Sequence, residues 1–391
     1  MITPFIWENP AVQEINRLPM RSPLLPFASV EEALEDVIAG PEYREPGKNP
    51  WYLGLDGQWR FRLLKNPRED SEDPGQAPSW TGPGADTASW ASIQVPGAWS
   101  RQGGGERGEG RYEHCFDKPH YTNVQMPFQA VPPRAPEDNP TGLYRKTFGL
   151  PENWRGRRVV LHIGSAESLC MVYVNGIFAG AGKDTRLPQE YDISPFVREG
   201  ENVLALKVVR YSDASYVEDQ DQWWYGGIHR GVFLYSTAEC FIQDVKALPG
   251  KVRGLPERRL HDPGDVYEAG VHGTPETSGG TLEFSVTLGG KLPEARSTGN
   301  EGVTVAEESP FTIVYALYPF SLPAGWAEIT GSEIHRIAEA LRGEKPAAEG
   351  EISFDCNYRA NSNTVSAKLC VTDPALWSHE FPNLYVLTVK L

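Results

Sequence analysis

Residues 171–179 read Met171-Val172-Tyr173-Val174-Asn175-Gly176-Ile177-Phe178-Ala179. Apolar runs rich in β-branched and aromatic residues flank an Asn-Gly pair, and both residues of that pair accept the positive φ that a two-residue type I′ turn demands. The stretch is therefore a β-hairpin. Outward from it, residues 58–64, 143–148, 158–163 and 203–209 form short runs of the same composition, separated by turn residues. No amphipathic helix intervenes between them. Strands in such a series bury their apolar faces by stacking as two sheets rather than by forming a parallel α/β sheet. The 39 Gly and 33 Pro agree with this reading, since both residues punctuate turns.

At 391 residues the chain has room for two or three domains, each with its own core. The fold class expected is all-β: a jelly-roll sandwich over 51–236, followed by an immunoglobulin-like sandwich over 237–391, with 1–50 as an extended N-terminal arm. In the second part, Leu282, Phe284, Val286 and Leu288 alternate with Glu283, Ser285 and Thr287, the pattern of a half-buried strand. Residues 312–318 and 364–371 add strands. The stretch 249–278, rich in Gly, Pro and charge, reads as a loop or insertion. Ile334, Ile337, Ala338 and Leu341 share a helical face, which predicts a short helix over 333–342. The last residues, Thr388-Val389-Lys390-Leu391, fall inside a strand pattern, so further sequence is expected beyond them.

Fifty-two acidic against 37 basic residues give a formal charge of −15, a surface that repels nucleic acid and anionic lipid. No Lys/Arg-rich run offsets it, and no apolar run approaches the ~20 residues needed to cross a bilayer. Met1 to Pro10 carries no basic segment leading into an apolar one. The five cysteines, Cys115, Cys170, Cys240, Cys356 and Cys370, are scattered without a CxxC pair, so reduced thiols and a cytoplasmic location are expected.

Gly103, Gly105 and Gly108 satisfy GxGxxG, but neither a preceding strand nor a following helix supports a phosphate cradle, so the segment reads as a surface loop. His114, Cys115 and His120 cluster without the further ligands that zinc requires. His229-Arg230 reads as a partner for an acid or a cover for an aromatic ring. The most informative stretch is 211–225, which carries Asp213, Glu218, Asp219 and Asp221 among Tyr211, Tyr216, Trp223, Trp224 and Tyr225. Carboxylates accept hydrogen bonds from sugar hydroxyls or ligate hard cations, and aromatic faces receive sugar C–H faces. The same residues also suit a plainer role, with the rings as core anchors and the acids as a solvated rim.

At these residues the chain resembles the N-terminal region of the glycoside hydrolase family 2 β-galactosidases. The resemblance rests on Trp7-Glu8-Asn9-Pro10, Leu55-Asp56-Gly57-Gln58-Trp59-Arg60-Phe61, Tyr121-Thr122-Asn123-Val124, Val174-Asn175-Gly176, Glu218-Asp219-Gln220-Asp221, Gly227-Ile228-His229-Arg230 and Leu376-Trp377-Ser378, in that order. It implies a sugar-binding jelly roll and an immunoglobulin-like domain that precede a (β/α)₈ barrel. The barrel carries the retaining hydrolysis of terminal β-galactosides by two glutamates. On that reading this chain has no catalytic residue of its own. Asn123 would hydrogen-bond galactose; Asp221 would bind it too and help ligate sodium, the remaining ligands coming from the barrel. The resemblance also implies a structural magnesium. Asn9, Val12 and Asp213 of its pattern are retained, but Ile6 stands where an acid is expected and Lys183 where a glutamine is expected. Ile6 offers no side-chain oxygen and Lys183 a repelling charge, which argues against magnesium here. The 102–118 insertion, longer than the family's, is expected to reshape the pocket rim.

Two rival readings accompany this one. A stand-alone carbohydrate-binding module would use 218–225 as a lectin surface, and a purely structural pair of sandwiches would buttress a homo-oligomer interface.

Overall fold

The computed structural model describes residues 5–39, 48–70, 77–103, 115–123, 125–250, 279–290, 311–320, 331–354, 363–377 and 383–391. They form two compact units, Met1–Arg21 with Pro50–Ala238, and Ser22–Asn49 with Glu239–Leu391. Every strand pair among the described residues is antiparallel.

In the first unit the predicted hairpin is present, with Leu169–Val174 paired to Ile177–Lys183. Asn175 and Gly176 hold φ of 52° and 84°. The Asn175 side chain fixes the turn from inside: Nδ2 donates to Phe196 O at 2.9 Å and Asn202 Oδ1 at 2.8 Å, while Oδ1 accepts the Val203 N–H at 2.9 Å. The hairpin belongs to a seven-stranded sheet in the order Glu14–Ile15, Ile177–Lys183, Leu169–Val174, Glu201–Val209, Thr141–Gly149, Gly57–Leu64, Ala91–Val95. A four-stranded sheet, Gln189–Asp192, Arg158–Ile163, Val232–Thr237 and Tyr52–Gly54, packs on it. Alternate residues meet between them: Cys170, Val172 and Val174, with Leu204, Leu206 and Val208, from one sheet, against Val159, Leu161, Ile163, Val232 and Leu234 from the other. A period of two sends every second side chain to one face, which is why these runs build a sandwich core.

The outer face of the larger sheet is also covered. Trp7 packs there with Leu169, Ala181 and Val209, and Trp80 packs with Leu64, Trp90 and Leu143.

The second unit holds two three-stranded sheets. Gly279–Gly290 lies between Cys240–Pro249 and Thr364–Thr372, and Phe311–Phe320 lies between Ala348–Phe354 and Leu384–Lys390. Phe284, Val286 and Leu288, the apolar half of the predicted alternation, meet Ile313, Leu317, Leu369 and Val371 in its core. The predicted helix is present as Gly331–Gly343. The 249–278 loop reading falls almost wholly outside the described residues.

The first fifty residues depart from the extended arm that was expected. Val30–Ala39 is a helix, and Leu34 and Ile38 pack with Ile334, Ala338 and Leu341. Its start is a Ser-x-x-Glu pattern: the Glu32 N–H donates to Ser29 Oγ at 3.2 Å, and the Glu32 carboxylate reaches back to the Ala28 N–H at 3.2 Å. Those local bonds start the helix, and Leu34 and Ile38, one turn apart, give it a packed apolar face. Among the described residues no helix is long and apolar enough to cross a membrane.

Candidate functional site

The segment after the Glu201–Val209 strand splits its aromatic residues between two jobs. Tyr211 and Trp224 are buried, at 5% and 1% exposure, as core anchors. Trp223 and Tyr121, at 48% and 47%, stand in solvent. The cause is a two-stranded ribbon in which Gln222–Trp224 pairs with His120–Thr122, Trp223 opposite Tyr121. Neighbouring residues on a strand face opposite ways, so Trp224 turns inward and Trp223 outward. Outside, the Trp223 ring lies 5.3 Å from Tyr121 and 5.9 Å from Tyr225, nearly parallel to the latter.

Buried polar contacts hold the root of this ribbon. Arg210 Nη2 donates to Trp224 O at 2.6 Å and to Lys118 O at 3.3 Å, and Nη1 pairs with Asp117. One guanidinium thus grips the approach to both strands. The Asp117 carboxylate also accepts the Trp99 indole N–H at 3.2 Å. Gly226, at φ +69°, lets the chain turn over Trp99, where a Cβ would run into the indole ring. Its N–H and His229 Nε2 share Glu167 Oε2, each at 3.1 Å, so His229 pairs with an acid as its sequence context predicted.

The four carboxylates of the segment have different surroundings. Glu218 accepts the Thr185 N–H at 2.9 Å and the Thr185 hydroxyl at 2.6 Å, and burial pushes its pKa up against the pull of those bonds. Asp219 is half-buried. Asp221 is exposed, and its Oδ1 accepts the Tyr121 hydroxyl at 2.6 Å. This bond, with lesser help from burial and charge, raises the Tyr121 phenol above its ordinary value. Asp221 Oδ2 carries no hydrogen bond among the described residues, on a residue that is itself exposed. Asn123 follows Thr122 and Asp221 precedes Gln222; since Thr122 and Gln222 are paired, the register carried one step further sets Asn123 across from Asp221. The structure therefore brings these two predicted residues to one end of the ribbon. Sequence reasoning missed Tyr121 as the partner of Asp221, and it missed Arg186, whose guanidinium binds the Gln222 side chain while its carbonyl accepts Arg230 Nη1 at 2.8 Å. The cross-strand register reveals Tyr121, and Arg186, in the loop between Ile177–Lys183 and Gln189–Asp192, is revealed only by packing.

The fourth acid, Asp213, lies apart from the ribbon. It is buried, and its Oδ1 is 2.6 Å from Lys183 Nζ, which also donates to Asn9 O at 2.9 Å. Of the residues read as a magnesium pattern, Asn9 and Asp213 both meet the Lys183 ammonium, which sets a positive charge beside them, and Val12 donates its N–H to Asn9 O at 3.0 Å. No group of three or more His, Cys, Asp or Glu side chains that could hold a metal occurs among the described residues. Of the sequence cluster His114, Cys115 and His120, His114 lies outside the described residues, as do the glycine motif beyond Gly103 and most of the 102–118 insertion. Cys115, Cys170 and Cys370 are free thiols, and burial pushes Cys170 up to about 12.

Residues 53–238 match the family model described as glycosyl hydrolases family 2, sugar binding domain. Among similar curated proteins, a β-galactosidase of Vibrio cholerae is 36% identical over 238 residues, covering 61% of this chain and 20% of that protein. A β-galactosidase of Priestia megaterium is 32% identical over 285 residues, covering 72% of this chain and 25% of that protein. The chain thus spans between a fifth and a quarter of these relatives' lengths. A Bifidobacterium dentium β-glucuronidase structure, 17% identical, superposes with a TM-score of 0.52 over 88% of this chain and 46% of that one, a likeness of fold.

Proposed function

We propose that this chain, whose residues 53–238 match the glycosyl hydrolases family 2 sugar binding domain, is the non-catalytic part of a β-galactosidase-like hydrolase and lends Asn123 and Asp221 to a galactose site completed by a (β/α)₈ barrel. The observation that supports the reading is the ribbon: Thr122 pairs with Gln222, so Asn123 and Asp221 are the next residues beyond that pair, and Asp221 is exposed with its Oδ1 on Tyr121. The two glutamates that cleave the glycoside, one as nucleophile and one as acid/base about 5–5.5 Å away, belong to the barrel. Here Asp221 Oδ2 takes a galactose hydroxyl or a sodium ion, Tyr121 fixes the carboxylate by holding Oδ1, and Asn123 completes the polar fringe. Sodium supplies a hard positive centre that oxygen ligands and a sugar hydroxyl can share; the other ligands come from the barrel. A cytoplasmic location goes with this reading and is supported by the free thiols.

The purified chain, assayed with an aryl β-galactoside, is expected to give no turnover alone and turnover once combined with its barrel. Hydrolysis by the chain alone overturns the proposal. The exposed Trp223 and Tyr121 faces favour one second reading, a self-sufficient lectin surface. Calorimetric titration with galactose and lactose separates the two, because a lectin releases binding heat without a barrel.

A further inference from the structure

We infer that the Lys183 ammonium is a built-in cation standing where the family resemblance implies magnesium, and that it fastens the N-terminal segment to the sandwich without any metal.

Lys183 ends the inner hairpin, and each of its polar groups holds the segment that runs from Trp7 to Arg17. Its N–H donates to Gln13 O at 3.0 Å, its carbonyl accepts Arg17 Nη1 at 3.1 Å, and its Nζ donates to Asn9 O at 2.9 Å. Asp213 adds a fourth tie, donating its N–H to Trp7 O at 2.9 Å. The ammonium and the Asp213 carboxylate close this clamp, 2.6 Å apart, with side-chain exposures of 2% and 5%. Asp213 Oδ1 meets the ammonium as an ion-pair contact, and no other donor reaches that oxygen among the described residues.

Charge decides which cation belongs here. Buried charges persist only when they are matched. Ile6 supplies no carboxylate, so Asp213 alone must be neutralised, and a single ammonium does so; a divalent ion added to this pair would leave excess positive charge in a buried pocket. The Ile6 and Lys183 departures from the family pattern therefore act together. One removes a negative charge, the other adds a positive one, and the pocket stays neutral with the metal replaced. Unlike a dissociable ion, a tethered ammonium costs no binding equilibrium and cannot be stripped by a chelator.

The test is thermal unfolding of the full chain in EDTA and in magnesium chloride, with hydrogen exchange at the Val12 and Lys183 amides as a local readout. Wild-type protein is expected to show the same midpoint and the same protection in both. A midpoint that falls in EDTA and recovers with magnesium overturns the inference. Lys183→Met is expected to lower the midpoint by on the order of 10 °C and to expose both amides, because Asp213 is then buried without its counter-ion. A Lys183→Met protein as stable and as protected as wild type also overturns it. Should Lys183→Met not fold, Lys183→Gln combined with Ile6→Asp, which restores the ligands the family pattern expects, should unfold several degrees higher in magnesium than in EDTA. Failure of that variant to respond to magnesium counts against the pocket being a cation position at all. None of these readouts depends on galactoside binding.

Discussion

Asp213 is buried against the Lys183 ammonium, whereas Asp221, farther along the same segment, stands in solvent with one oxygen on Tyr121 and the other open. Both are carboxylates in loops that follow one strand, and both come from family-like motifs. Their surroundings separate a fastening role from a binding role. A carboxylate whose charge is matched inside the fold has nothing left to offer a ligand, and one held by a single neutral hydroxyl keeps most of its acceptor capacity. The neighbouring tryptophans repeat the contrast, with Trp224 in the core and Trp223 outside it.

The sharpest way to break this comparison is Asp213→Ala. It leaves the ammonium buried without a counter-ion and is expected to cost about 3–5 kcal/mol, read from urea denaturation of the full chain. A loss no larger than that of an ordinary surface substitution would place Asp213 in the same class as Asp221. Next comes the turn of the hairpin that presents Lys183. Asn175→Ala removes three side-chain bonds and puts Ala at φ 52°, with an expected loss of about 2 kcal/mol and the Asn175→Gly variant recovering part of it.

Two other acids of the first unit sharpen the contrast through pH. Burial pushes Glu190 up, but the His162 hydrogen bond at 3.0 Å, Arg21 at 3.1 Å and the Tyr235 hydroxyl at 3.2 Å outweigh it, so its pKa lies below the ordinary 4.5. A carboxylate depressed on folding contributes stability in full above its unfolded value, and that contribution is lost as pH falls through the folded one. Glu190→Gln should therefore flatten the decline of the unfolding midpoint below about pH 4.5. Glu218 has the opposite sign. Its raised pKa favours the protonated form in the fold, so its contribution is full below the unfolded value and is lost as pH rises through the folded one. Glu218→Gln is expected to change neutral-pH stability little or to raise it, in the same denaturation series.

What the sequence makes legible follows from the range of the interactions involved. The Asn175-Gly176 turn, the alternation from Leu282 to Leu288 and the apolar face of Gly331–Gly343 are set by neighbours a few residues away, and each is present in the structure. The Val30–Ala39 helix is equally local, with Ser29 and Glu32 as its start signal, yet the reading of 1–50 as an extended arm passed over it. The candidate site is of another kind. Asn123 stands out only through family likeness, and only that likeness picks Asp221 from the four acids of its segment, because nothing in either local pattern says that Thr122 pairs with Gln222. The split between Trp223 and Trp224 is likewise a matter of which face of the ribbon meets the core. Lys183 was readable as a departure from a pattern; that its ammonium reaches both Asn9 and Asp213 is a fact of packing.

The smallest expected effect on stability is also the most telling for function. Asp221→Ala and Trp223→Ala remove groups that make few contacts with the core, so neither should move the denaturation midpoint beyond the scatter of surface substitutions. Each should act only where sugar is bound. In the enzyme that includes the barrel, Asp221→Ala is expected to weaken galactoside use and to blunt its response to sodium, since the open oxygen is lost, while Tyr121→Phe, which frees the other oxygen, should act more mildly in the same direction. An Asp221→Ala enzyme with an unchanged sodium response would remove the cation role while leaving the sugar contact standing. If Asp221→Ala instead unfolded the chain, the open carboxylate would be a structural one, and the distinction between the two acids would fail at its exposed end.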